Sequence, residues 1–200
     1  MGFLSKFFKK VNTKSAIELA HDNTPVIGEQ RHINNWNIID NYKQSENPLD
    51  ILAVAISYER EGAKYRKESI FFYEKFLTNP TETPILPNRY LEGRKPVRMF
   101  SNWQIYSSLA NLYEKEYEFT KAIEYLKKLP KESGYKNSAD YTRVGDVLAK
   151  VDINECVSYY ENLITTSTYK KFTSVIDCKY KEALKKQSEG YVFKARKKRI

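Results

Sequence analysis

The residues able to do covalent or metal chemistry are few in this 200-residue chain: His21, His32, Cys156 and Cys178. The histidines stand eleven residues apart, with no cysteine beside them and no HExxH spacing, so they do not read as a metal site. Neither cysteine has a histidine near it in sequence to act as base. Cys156 falls on the apolar stripe of a predicted helix, where a thiol behaves as a small hydrophobe, and Cys178, between Asp177 and Lys179, reads as a semi-exposed thiol. No Gly-rich phosphate loop, GxSxG elbow or CxxC occurs. The glutamates of "EKEYE" (114–118) sit at a turn between helices, where a solvated surface accounts for them. The expectation is a non-catalytic protein with no metal and no cofactor.

With catalysis set aside, the pattern of the chain is helical. Tyr106, Leu109, Ala110 and Tyr113 recur at i, i+3, i+4 and i+7; after the break, Phe119, Ala122, Ile123, Leu126 and Leu129 form a second stripe. So short a link makes the two helices an antiparallel hairpin, with Ala110 and Ala122 allowing close approach. Tyr141, Val144, Gly145 and Leu148, then Ile153, Cys156, Val157, Tyr160 and Leu163, repeat the order, with Leu109 to Val144 spaced 35 residues and Ala122 to Cys156 spaced 34. An earlier copy holds Ile51, Val54, Ala55 and Tyr58, then Tyr65, Ser69, Ile70, Tyr73 and Phe76. The last stripe, Phe172, Val175, Ile176, Tyr180, Ala183 and Leu184, predicts a helix that covers the open end of the stack.

A helical hairpin repeated at about 34 residues, with this order of large and small side chains, resembles the tetratricopeptide repeat. The resemblance covers residues 50–165. It departs from the family pattern where Ile51, Tyr106 and Tyr141 replace a common Trp, where the first copy carries one extra residue near its turn, and where some 20 residues separate the first and second copies. It implies an all-α array of two to three hairpins with a C-terminal capping helix. The expected organisation is a basic amphipathic segment (1–14), an irregular or helical lead-in (15–49), a repeat domain (50–188) with an insertion (79–100), and a basic tail (189–200). Within the lead-in, "SAIELA" suits a short helix, whereas "NTPVIGEQRHINNWNIIDN" reads as loop. The insertion holds Pro80, Pro84, Pro87 and Pro96, which forbid a continuous helix; it is either a loop packed along the helices or a direct binding element.

The net charge of +9 is carried by the ends of the chain. Residues 1–14 hold Lys6, Lys9, Lys10 and Lys14 without an acid, and residues 189–200 hold Lys194, Arg196, Lys197, Lys198 and Arg199 against Glu189. A nearly neutral body argues against a polyanion-binding face and for separable interactions through the tails. Near the N-terminus, Phe3, Leu4, Phe7 and Phe8 line one side of a possible helix opposite Lys6, Lys9 and Lys10. That pattern suits an anionic membrane surface or a partner groove, or docking on the protein's own core. Two cysteines without a disulfide framework, no secretory leader and no long apolar run suggest a reducing, cytoplasmic setting.

What the resemblance implies about function is a scaffold or adaptor binding a protein or peptide partner; peripheral membrane or nucleic-acid binding through the tails is the alternative. First helices of such arrays line the ligand side. The polar positions left on them are Gln104, Ser107, Asn111 and Glu114 in the second copy and Thr142, Arg143, Asp146 and Lys150 in the third. Relatives that clamp a terminal carboxylate use Lys, Asn and Arg across three repeats. Arg143 fits one such place, but Leu52 and Ile56 do not fit theirs, which favours a mixed-polarity or apolar ligand.

Overall fold

Asn47 begins a helix whose middle is wholly buried. Its Oδ1 accepts the Leu49 amide at 2.9 Å, and Pro48 follows at the first helical position, where a missing N–H costs nothing. The computed structural model describes residues 14–86, 97–98 and 100–195, divided into two units at Met99/Phe100. The first unit contains α1 (Ala16–Asp22), α2 (Gly28–Tyr42), α3 (Pro48–Glu61), a 3₁₀ turn (Ala63–Tyr65), α4 (Arg66–Thr78), β1 (Ile85–Leu86) and β2 (Val97–Arg98). Every residue from Ile51 to Ser57 of α3 is buried, because α4 packs on one side and α1 and α2 on the others. A helix that is apolar all round belongs inside. Gly62, at φ 92°, ends it, and the 3₁₀ turn takes up the extra residue seen in this hairpin's sequence. Ser69 donates to the Ala55 carbonyl at 3.0 Å, which lets a hydroxyl sit in the tight α3–α4 seam.

The stretch expected as loop between α1 and α3 is instead helical over Gly28–Tyr42. Asn-rich sequence has low intrinsic helix propensity, so propensity argued against it. Tertiary bonds override that preference. Asn35, fully buried, accepts from Asn23 at 2.6 Å and donates to Glu61 at 2.8 Å; Trp36 donates its indole N–H to the same carboxylate at 3.0 Å. The Trp36 ring meets Tyr58 and Tyr65 edge-on, and Ile38 and Ile39 complete the buried face. Arg60 reaches back to cap α1, donating to the Ala20 carbonyl at 2.7 Å and to Thr24 at 2.8 Å. The insertion is not wholly without secondary structure: β1 and β2 pair antiparallel, Ile85 with Arg98 and Leu86 with Val97. Its residues 87–96 and 99 lie outside the described residues.

The second unit holds α5 (Asn102–Lys115), α6 (Phe119–Leu126), a single turn α7 (Leu129–Glu132), α8 (Ala139–Val151), α9 (Ile153–Ile164) and α10 (Ser167–Ser188). The α5–α6 and α8–α9 hairpins stack through α6 on α8, and α10 closes the end against α9 and α8. At the "EKEYE" break the backbone turns through Tyr117 at φ 64°; Glu118 N–H bonds the Tyr113 carbonyl at 2.9 Å and Tyr117 N–H that of Glu114 at 3.1 Å. These are the two bonds of a Schellman stop, here with Tyr where Gly is usual. The expected stripes form the core, with Leu109, Ala110, Tyr113, Ala122, Ile123, Val144, Gly145, Cys156, Val157 and Tyr160 all buried. The cap differs in detail. Ile176 and Ala183 face inward, but Val175 and Leu184 remain 41 % and 37 % exposed. The inward line follows a seven-residue step, and Phe172 kinks the helix one turn before it (φ −129°, ψ 28°), so residues flanking that line fall outside the contact.

Candidate functional site

The eight polar positions predicted on the first helices are mostly engaged with one another, one repeat apart. Arg143 of α8 donates Nη1–H to Ser107 Oγ at 2.8 Å and Nη2–H to Asn111 Oδ1 at 2.6 Å, both on α5. Two turns further along α8, and two turns beyond Ser107 on α5, Lys150 pairs with Glu114. Asp146 faces the other way and accepts Lys179 Nζ of α10 at 2.8 Å; that bond is the chief reason the Lys179 ammonium is held above its usual range. The line therefore runs α5–α8–α10. It has a buried end-stop that sequence reading missed, since Trp103 Nε1–H donates to Asp140 Oδ1 at 3.0 Å and Asp140 is almost wholly enclosed.

Two of the eight do something else. Gln104 folds back on its own helix start, its Oε1 accepting the Ser101 amide at 2.8 Å as the return half of a capping box. Thr142 is corrected from surface to interior: it is only 8 % exposed, and its carbonyl accepts the Tyr160 hydroxyl at 3.3 Å. A position on a first helix that looked outward by elimination is covered because the Tyr159–Tyr160 pair of α9 reaches across it, Tyr159 bonding the Tyr141 carbonyl at 3.0 Å.

Several of these side chains keep capacity for a ligand. A guanidinium has five N–H donors, and the two bonds above leave Arg143 with more, on a half-buried side chain next to an exposed Asn111. Asp146 keeps one carboxylate oxygen clear of its Lys179 bond and is 49 % exposed. The signal that could have found the pairing was present in the sequence: Ser107 with Arg143 and Glu114 with Lys150 are complementary partners 36 residues apart, one repeat period.

Phe3, Leu4, Phe7 and Phe8 lie outside the described residues, as do Arg196 to Arg199. No described helix is long and apolar enough to cross a membrane, and among the described residues no group of three His, Cys, Asp or Glu is placed to hold a metal ion. His21 is buried in α1, whereas His32 projects from α2 to pair with Glu61. Cys156 is enclosed, and burial pushes its thiol up to about 11. Cys178 is exposed.

No protein-family model matches the chain, and no curated protein does. Among solved structures, one titled "Crystal structure of MamA" is similar in fold at a TM-score of 0.44 and 15% identity, over 80% of this chain and 88% of that one.

Proposed function

We propose that the chain is a non-catalytic protein-interaction module of tetratricopeptide-like design, in which the α5–α8 line takes a protein or peptide segment. The observation that carries this reading is the placement of Arg143. Ser107 and Asn111 hold its guanidinium in one geometry, so a ligand carbonyl or carboxylate would meet donors already ordered. Binding to pre-ordered groups avoids part of the entropy cost of fixing long side chains. Mixed charge along the line, with Asp146 and Glu114 beside Arg143 and Lys150, suits a segment of mixed polarity rather than a polyanion.

The test is capture from native-host lysate on the full chain, compared with the Asn111→Ala/Arg143→Ala double variant. A partner of this surface should lose about 1–3 kcal/mol of affinity. Because Arg143 also links α5 to α8, circular dichroism of the variant must be compared with the parent. A folded double variant that captures the same proteins with undiminished affinity would move the interaction away from this surface.

A further inference from the structure

In the first unit, α1 and α2 border a pocket of about 410 Å³, within the range of about 300–1,000 Å³ usual for small-molecule sites. Its apolar lining is Leu19 of α1 and Ile38 of α2. Side-chain amides supply most of the rest: Asn23, just past the end of α1, and Asn34, Asn37 and Asn41, which recur at i, i+3 and i+7 along one face of α2.

The amides are held to different degrees. Asn23 is 2 % exposed; its Oδ1 accepts from Asn34 Nδ2 at 3.0 Å, and its own Nδ2–H donates to Asn35 Oδ1 at 2.6 Å. That network fixes the inner wall. Asn41 Nδ2–H donates to the Asn37 carbonyl at 2.6 Å, which orients the Asn41 amide and leaves its Oδ1 open. Neither the Asn37 side-chain amide nor the hydroxyl of Tyr42, another lining residue, has a hydrogen bond among the described residues. Asn37 and Asn41 are exposed. The one formal charge on the described wall, Asp22, is paired with Lys14.

That arrangement selects a class of ligand. With its single charge already met, the wall gives an ion nothing to hold it by. A side-chain amide sets an acceptor beside two N–H donors, which matches a pair of adjacent hydroxyls that each donate and accept. A sugar presents such hydroxyls at its edge and C–H groups on its ring faces, where Leu19 and Ile38 would take them. We propose that the α1–α2 pocket binds a neutral, hydroxyl-rich ligand of mono- or disaccharide size, read by the Asn37 and Asn41 amides over the Leu19–Ile38 floor. The site lies within the first unit and stands whether or not the α5–α8 line binds a partner.

The probes are glucose, galactose, mannose, N-acetylglucosamine, maltose and cellobiose, each titrated into the full chain. At least one should bind, and its addition should shift the side-chain NH₂ resonances of Asn37 and Asn41 while that of Asn154 in the second unit stays in place. Affinity should be the same at about 50 mM and about 300 mM salt, because the ligand is uncharged. Asn37→Ala/Asn41→Ala should weaken binding about tenfold or more, with circular dichroism confirming the helices. A dipeptide blocked at both ends, which offers amide donors and acceptors without hydroxyls, should bind more weakly than the best sugar. Binding by none of the sugars would overturn the proposal, as would unmoved Asn37 and Asn41 resonances, undiminished binding to the folded double variant, or tighter binding of the dipeptide. Partner capture at Arg143 and sugar binding at Asn37 are read in separate assays, so either can fail alone.

Discussion

Gly145 of α8 lies against the ring of Tyr160 of α9: a Cβ built on that glycine would overlap the Tyr160 hydroxyl oxygen and Cζ. The tyrosine uses the gap to bring its hydroxyl to the Thr142 carbonyl. Gly145→Ala should therefore destabilise the protein by about 1–3 kcal/mol through overpacking, although alanine is the better helix former. Urea unfolding followed by circular dichroism measures this. In a Tyr160→Leu background the same change should cost much less, and strictly additive effects would mean that the ring is not the obstacle.

Glu61 holds α2 in place from the end of α3. Its two carboxylate oxygens take Asn35 and Trp36, and its side chain is 5 % exposed. Glu61→Ala leaves both donors without that acceptor, at about 1–3 kcal/mol for each buried donor. Hydrogen exchange should show the amides of α2 opening first while α3 and α4 stay protected. Unchanged α2 protection would mean that Ile38 and Ile39 suffice to anchor the helix.

The two thiols should separate cleanly. At pH 8 in native buffer, a thiol-reactive dye should label the exposed Cys178 and leave Cys156 until the protein unfolds. Burial raises Cys156 from its ordinary value near 9 to about 11, so the folded state keeps a proton that the unfolded chain gives up. Stability from this group is complete below pH 9 and is lost as pH rises toward 11. Desolvation shifts half-buried Tyr159 and buried Tyr160 in the same direction and extends the decline to higher pH. Cys156→Ala should flatten the pH 9–11 portion of the stability curve; an unaltered slope would assign it to other groups.

The hairpins were legible in sequence because burial there is periodic: Leu109, Ala110 and Tyr113 or Ile153, Cys156 and Tyr160 repeat at helical spacing, and all are buried. α2 was not, because Asn35 and Trp36 owe their helical state to a carboxylate 25 or 26 residues away, and no local pattern carries that information. The polar line was legible only as a set of positions. Ser107, Asn111 and Arg143 look like any solvated helix face until the stacking of hairpins brings residues 32 to 36 apart into contact. Thr142 was misplaced for a related reason, since the aromatic pair covering it belongs to the following helix.

Enclosure of α3 bears on the reach of the proposed recognition surface. With Ile51 through Ser57 all buried, the first helix of the first hairpin has no free face, and Leu52 and Ile56 are core residues. Of the first helices, α5 and α8 therefore carry the contact proposed above, with α10 beside α8. Neighbouring helices lie about 8–10 Å apart, so three span on the order of 20 Å. An extended chain crosses that in about six residues at roughly 3.3 Å each. If the α5–α8 line takes a peptide as proposed, a surface of that length has room for only a short segment of it, a few side chains at a time.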